Sequence, residues 1–421
     1  MIFFLGAGMD KTKNRVFLTL IISDLFLWDV LEKIHTYFAF LYLGIIFLFF
    51  VFIYKKIILH RNEIVLFIFL ILHGVFSITL MNNSPTLFVK QLLAIIFCFT
   101  CFSSIIDGCD ITEIFHKYWI SAILMSCFGI VEVGLAFVHK IVPPFFIFSK
   151  LGSGIRFIWL ASLCREPSFL GYYLAPAVAA ILMKIICTDE VNKEELNYIK
   201  AIPSVLILFA MFMTFSTTAY IGIVTALVIG WLSRKINFSK LLLIFAILIG
   251  VVLIYNLIPD IRERIYDLFA LFSNDGRAGN NVTNLSSFTF YSNFVVSIRG
   301  FLDSFGMGNG LGSYPLIYEK FNIGGWNGTN IMLNSNDGNS MLFRIITELG
   351  IFGIAFIVLF LVKYFPNKNN KYYIYSCSML TLFIMLLIRQ GNYTHGGIIL
   401  FVCLYYKCYK QGTRYGKLNL Q

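Results

Sequence analysis

Of 421 residues, 58% are hydrophobic, 17% aromatic and only 13% charged, more apolar surface than a water-soluble fold of ordinary shape can hide. The chain therefore reads as an all-α polytopic membrane protein: apolar runs of roughly 17 to 24 residues recur, each long enough to cross about 30 Å of hydrocarbon as a helix, and no alternating barrel strands appear. The formal charge of +11 would raise nucleic acid as a partner in a soluble protein, but here the excess lies in short connections between apolar runs, so nucleic acid is excluded.

In chain order, Met1 to Met9 is apolar with no preceding basic region, and a cleavable signal peptide is not expected. Lys11, Lys13 and Arg15 precede a first span near 16–30, and a second follows near 34–54. Lys55, Lys56 and Arg61 mark a cytoplasmic turn. Spans near 64–80 and 87–106 are joined by Asn82-Asn83-Ser84-Pro85, which is turn chemistry on the opposite face. A fifth span near 119–138 exits into a periplasmic loop, 139–165, that ends in Arg165-Glu166-Pro167-Ser168. A sixth span ends near 186, a tight pair occupies 202–215 and 219–231, and a ninth span reaches about 256. The interval 258–340 is the one long polar stretch and is expected as a second, larger periplasmic loop. Spans near 341–362, 372–388 and 393–406 complete about twelve, in a single integral membrane domain, 1–421, with both termini cytoplasmic. The nine cysteines lie mostly in apolar runs and define no disulfide framework; Cys98-x-x-Cys101 sits in a span, where thiols act as small hydrophobes.

Chemistry is expected where polar groups cluster on the outer face. Arg156, Arg165 and Arg299 lie there, and guanidinium forks match phosphate oxygens two at a time. A lipid diphosphate is the ligand this implies. Gly300, Gly306, Gly308, Gly310 and Gly312 follow Arg299, and such a backbone can turn amides toward an anion, with Gly308 and Gly310 as the contacts. Glu166 and Asp337 are the candidate bases; Pro167 starts a span with Glu166 at its mouth. Asp24, Glu132 and His395 are ionisable groups within apolar runs, and Arg389 and His395 flank the last outer turn. No Asp-x-Asp pair, Walker loop or zinc spacing occurs, so no metal and no cofactor is expected.

Three pieces of sequence resemble bacterial O-antigen polymerases of the Wzy type, within the polymerase and O-antigen ligase superfamily. They are Arg156 with Arg165-Glu166-Pro167-Ser168-Phe169-Leu170-Gly171; Arg299 with Phe305-Gly306-Met307-Gly308-Asn309-Gly310-Leu311-Gly312; and Asn339-Ser340 with Glu348-Leu349-Gly350-Ile351-Phe352-Gly353. The resemblance implies a GT-C-like glycosyltransferase of the bacterial inner membrane. It would act at the periplasmic face on undecaprenyl-diphosphate-linked oligosaccharide, with a chain-length regulator as a further partner. It implies that Arg156 and Arg299 bind the donor diphosphate and that Glu166 orients or deprotonates the acceptor hydroxyl. Arg165, Gly308, Gly310, Asp337, Asn339, Arg344 and His395 complete the substrate-binding set. Ligases of the superfamily tend to carry a histidine just before the asparagine, whereas Gly338 precedes Asn339 here. An O-antigen ligase and a lipid-linked oligosaccharide flippase are the alternatives; a flippase would call for internal repeats and mid-bilayer binding groups.

Overall fold

A computed structural model of the chain describes residues 2–3, 11–139, 159–186, 196–233, 259–273, 284–324, 333–367 and 369–418, with isolated positions between 245 and 256. The architecture is nearly all helical. The first eight helices are α1 (Lys11–Ile34), α2 (Phe38–Tyr54), α3 (Arg61–Leu80), α4 (Pro85–Asp107), α5 (Ile111–His139), α6 (Pro167–Ile186), α7 (Ala201–Met213) and α8 (Thr217–Ser233). The rest are α9 (Pro259–Ser273), α10 (Leu285–Asp303), α11 (Tyr314–Phe321), α12 (Met341–Lys363), α13 (Tyr373–Arg389) and α14 (Ile398–Leu418), the last preceded by a 3-10 turn at His395–Gly397. The described β-structure is a two-residue antiparallel pairing of Ile2–Phe3 (β1) with Ile57–Ile58 (β2).

Among the described residues, α3, α4, α5, α6 and α12 are long and apolar enough to cross a membrane, and α2, α7, α8 and α13 are shorter apolar helices. The chain is thus a membrane-embedded helical protein. Most of the ninth expected span falls outside the described residues. The last span differs from expectation, because residues 390–397 fold as a turn and α14 begins only at Ile398, running on to Leu418.

Local chemistry sets several helix ends. Ser84 caps α4 by accepting from the Leu87 amide, with Pro85 at the first helical position. At the other end of α4, Lys407 of α14 donates to the Ile106, Asp107 and Cys109 carbonyls and so caps the helix terminus and the turn that follows it. Ser340 caps α12 through the Phe343 amide, and its hydroxyl donates to the Leu387 carbonyl of α13 at 2.6 Å.

The centre of the bundle is α6, which packs on α8 and α13 through small residues. A Cβ at Gly171 would meet Ala219 Cβ at 3.1 Å, so the two backbones approach closely, as small-residue contacts allow in membranes. Pro176 lies inside α6 and opens its ladder. The buried Tyr118 hydroxyl inserts there, accepting from the Ala177 amide and donating to the Tyr173 carbonyl. By contrast α2, α3 and α12 present large apolar side chains outward, Phe52, Leu72 and Val362 among them, as lipid-facing helices do.

The polar interval 258–340 is not an open loop. Its described residues form α9, α10 and α11, with α10 packed between α9 and α12. The glycine turn after α10 grips a kink in α12 at Gly350, where φ is +58°. There Ile351 N donates to the Gly306 carbonyl at 2.8 Å in place of a helical partner, while Thr347 and Glu348 carbonyls take the Asn309 and Gly310 amides at 2.9 and 2.8 Å. The turn has exchanged hydrogen bonds with the helix. Gly350→Ala is expected to lower the thermal midpoint in detergent, costing roughly 1–3 kcal/mol for the positive φ alone, because its Cβ would stand 2.2 Å from the Gly306 oxygen. Gly134→Ala, with nothing within 4 Å of the added Cβ, is expected to leave that midpoint unchanged or raised.

Candidate functional site

At one end of the bundle, four segments converge: the C-terminal part of α1, the residues leading into α6, the turn 334–340 ahead of α12, and the turn 390–397 between α13 and α14. The backbones of two of these turns touch, since a Cβ on Gly391 would collide with the Asp337 carbonyl at 1.6 Å. Beneath them lies a buried ion pair. Arg344 Nε donates to Glu348 Oε1 at 2.9 Å, Nη1 to the Gly391 carbonyl at 3.0 Å and Nη2 to Gln91 Oε1 of α4 at 2.9 Å. The guanidinium carbon is 4.4 Å from the Tyr393 ring centroid, and the Tyr393 hydroxyl donates to Glu348 Oε2 at 3.0 Å. Every guanidinium nitrogen of Arg344 is engaged within the protein. In this arrangement Arg344, expected as a substrate-binding residue, braces the turns that carry the site.

The amides of Gly308 and Gly310, expected as anion contacts, are likewise engaged within the protein. The Gly308 amide donates to Ser304 Oγ at 3.1 Å and the Gly310 amide to the Glu348 carbonyl. Both take positive φ because α12 and α3 lie against them, with a Cβ on Gly308 reaching 2.6 Å from Gly350 N and one on Gly310 reaching 2.5 Å from Ser77 Cβ. Their amides are not directed at an anion.

Glu166 is exposed, its carbonyl accepts from the Phe169 amide at the start of α6, and Ser168 Oγ donates to Glu166 Oε2 at 3.4 Å. One turn further on, the Tyr172 hydroxyl donates to the Arg389 carbonyl at 2.7 Å. Charges on Glu166, Asp337 and Arg389 all act on Tyr172, so these groups share one neighbourhood. Asp337 Oδ1 accepts from the Asn339 amide at 3.1 Å in a tight turn. Asn339 takes φ +56° there, accepts from Asn334 Nδ2 at 3.2 Å and leaves its own Nδ2 buried without a hydrogen-bond partner. That is a donor held ready for a ligand.

His395 is 6% exposed and faces two carboxylates that the sequence reading passed over. Its Nε2 is 3.2 Å from Asp29 Oδ1 and its Nδ1 3.9 Å from Glu32 Oε2. Arg165 presents its backbone amide to Asp29 Oδ2 at 3.0 Å, while its side chain is exposed. Burial pushes the His395 pKa down, but the Asp29 and Glu32 charges outweigh it and hold the imidazole above its ordinary value. The signal for Asp29 and Glu32 was present as two acids three apart at the end of an apolar run, one helical turn being the spacing that sets them on one face.

Beside Arg389 opens a cavity of about 410 Å³ between α8, α9, α10 and α13. Its wall is mostly apolar, with Val224 and Leu268, and its polar groups include Arg264, Arg389, Tyr220 and Ser286. Arg264, 5.6 Å from the Trp159 ring, was not singled out from the sequence, since a lone arginine in a polar interval carries no pattern. Arg299 is exposed on α10 and donates to the Phe321 carbonyl at 3.4 Å. Arg156 lies outside the described residues. Asp24 and Glu132 are buried in the bundle interior.

No protein-family model, no curated protein and no solved structure matches this chain.

Glu348→Gln is expected to destabilise the protein by about 3–5 kcal/mol, because it leaves Arg344 buried without its counter-charge, and the double change Arg344→Met with Glu348→Leu to cost less; thermal midpoints in detergent measure both. His395 gives a second test. With its folded pKa above the ordinary 6.5, its contribution to stability is complete below that value and lost as pH rises through the folded pKa. Midpoints of the chelator-treated protein from about pH 6.5 upward are expected to fall more steeply in wild type than in His395→Asn.

Proposed function

We propose that this protein is a bacterial inner-membrane glycosyltransferase of the GT-C-like kind, spanning the bilayer about twelve times with both termini cytoplasmic. It polymerises undecaprenyl-diphosphate-linked oligosaccharide repeat units into O-antigen or a related surface polysaccharide at the periplasmic face. The observation that carries this reading is the apolar-walled cavity bearing Arg264 and Arg389, with Glu166 acting electrostatically on Arg389. An amphiphile with an anionic head fits such a space, because the walls accept hydrocarbon and guanidinium forks pair with phosphate oxygens.

In the proposed reaction the donor diphosphate lies against Arg389 and Arg264. The incoming acceptor hydroxyl gives its proton to the Glu166 carboxylate as its oxygen bonds to the donor sugar's anomeric carbon. The bond from that carbon to the diphosphate breaks, and the electron pair leaves with the undecaprenyl diphosphate, whose growing charge the two guanidinium groups stabilise. Asp337 and the free amide of Asn339 face the sugar hydroxyls. Exposure of Glu166 suits a base that must meet a second bulky substrate. The polymerase is preferred to the ligase because glycine, not histidine, precedes Asn339 at position 338.

Deletion of the gene is expected to leave lipid A-core carrying a single repeat unit, visible as loss of the long-chain ladder on a gel. A normal ladder in the deletion strain would falsify the enzyme reading, and bare core with polymer retained on its carrier would make the protein a ligase. In complementation, Arg389→Ala is expected to abolish long chains at normal protein level, with Arg389→Lys restoring little because the fork is lost. Glu166→Gln is expected to slow polymerisation by about 10²- to 10⁴-fold.

A further inference from the structure

We infer that Asp29, Glu32 and His395 form a binding site for one divalent first-row cation of the Mn²⁺ or Zn²⁺ type, which ties the end of α1 to the turn before α14 and to the residues leading into α6. The inference stands apart from the glycosyltransferase reading, since it rests on donor geometry alone. One atom from each of the three side chains lies within 4.8 Å of the other two. Asp29 Oδ1 and His395 Nε2 are 3.2 Å apart, yet both atoms are buried and neither has a hydrogen-bond partner of acceptable geometry. They face each other as a charge pair without a well-formed hydrogen bond, and a cation seated beside both would bond each of them. Their separation matches the edge of a tetrahedral site, about 3.3 Å for bonds of about 2.0 Å.

The surroundings hold these ligands in place. The second oxygen of Asp29 accepts from the Arg165 amide at 3.0 Å, which fixes the carboxylate plane. The His395 ring sits 4.8 Å from Phe169 and 6.1 Å from Trp28, ring centre to ring centre, so its orientation is set by packing. Glu32 is the adjustable ligand: its side chain is 29% exposed and can close the remaining gap by rotation, while water completes the shell. Charge favours the cation as well. Two carboxylates face one imidazole, Asp337 adds a third negative charge within reach of His395, and Arg165 opposes them only through its exposed side chain near Glu32. One imidazole nitrogen with carboxylate oxygens is a borderline donor set that suits Mn²⁺, Fe²⁺ or Zn²⁺ better than Ca²⁺, which prefers all oxygen.

Purified full-length protein in detergent, stripped with EDTA, would be titrated with Mn²⁺ alone and followed by electron paramagnetic resonance and by thermal unfolding. The expected result is one bound Mn²⁺ per chain, displaced by Zn²⁺, with a raised unfolding midpoint. Asp29→Asn and His395→Leu should each weaken binding about tenfold or more. Should either variant fail to fold, Glu32→Gln at a partly exposed position carries the test, with the same loss expected. Absence of saturable Mn²⁺ binding by wild type, or equal binding by wild type and Glu32→Gln, overturns the proposal. Neither outcome bears on whether the deletion strain keeps its polysaccharide ladder, so the two readings fail separately.

Discussion

The rest of the structure depends on the buried pair of Arg344 and Glu348. In a bundle whose exterior faces lipid, a buried charge is tolerated only when its partner and its remaining hydrogen-bond sites are all supplied. Arg344 meets that demand by reaching α4 at Gln91, the turn at Gly391 and the Tyr393 ring, while Glu348 meets it through Tyr393 and Arg344. The Glu348 backbone carbonyl also holds the glycine turn. Segments distant along the chain are thereby locked into one arrangement by polar geometry, where apolar contacts alone would allow sliding.

A second constraint is backbone satisfaction inside an apolar medium. Pro176 opens α6 and Gly350 opens α12, and each opening is closed by a specific donor or acceptor from elsewhere: Tyr118 in the first case, the 306–310 turn in the second. Such breaks are admissible at membrane depth because the freed groups find partners in protein. The α12 break has a consequence for the site. It joins the end of α10 to α12, and the N-terminal end of that same helix is where Ser340, Asn339 and Asp337 meet the turn at Gly391.

The charged groups at the end of the bundle divide by what surrounds them. Each guanidinium nitrogen of Arg344 has a partner in the protein, and the residue serves as a brace. Arg389 and Arg264 border a cavity with hydrocarbon walls and can meet an anionic headgroup. Glu166 stays in contact with solvent, whereas Asp29 and His395 are withdrawn behind Phe169 and Trp28. The Arg165 amide bonds Asp29 and the next residue is Glu166, so the buried group and the exposed carboxylate sit side by side along the backbone.

From the sequence alone, the helical membrane-embedded class, most helix positions and several turns were legible, since hydropathy and turn chemistry are local and sum over a single span. Glu166 and Asp337 stood out as carboxylates beside span starts and His395 as an ionisable group in an apolar run, while Asn339 stood out only through the resemblance. What the tertiary structure alone decided is which of them meet. Arg344 to Gln91 joins residues 253 apart, and Asp29 to Arg165 joins residues 136 apart, separations with no periodicity to read. The same holds for the glycines: their positive φ was foreseeable, but whether the space beside them holds a ligand or the kink of α12 depends on a helix some forty residues on, and close packing, not composition, settled that in favour of the helix.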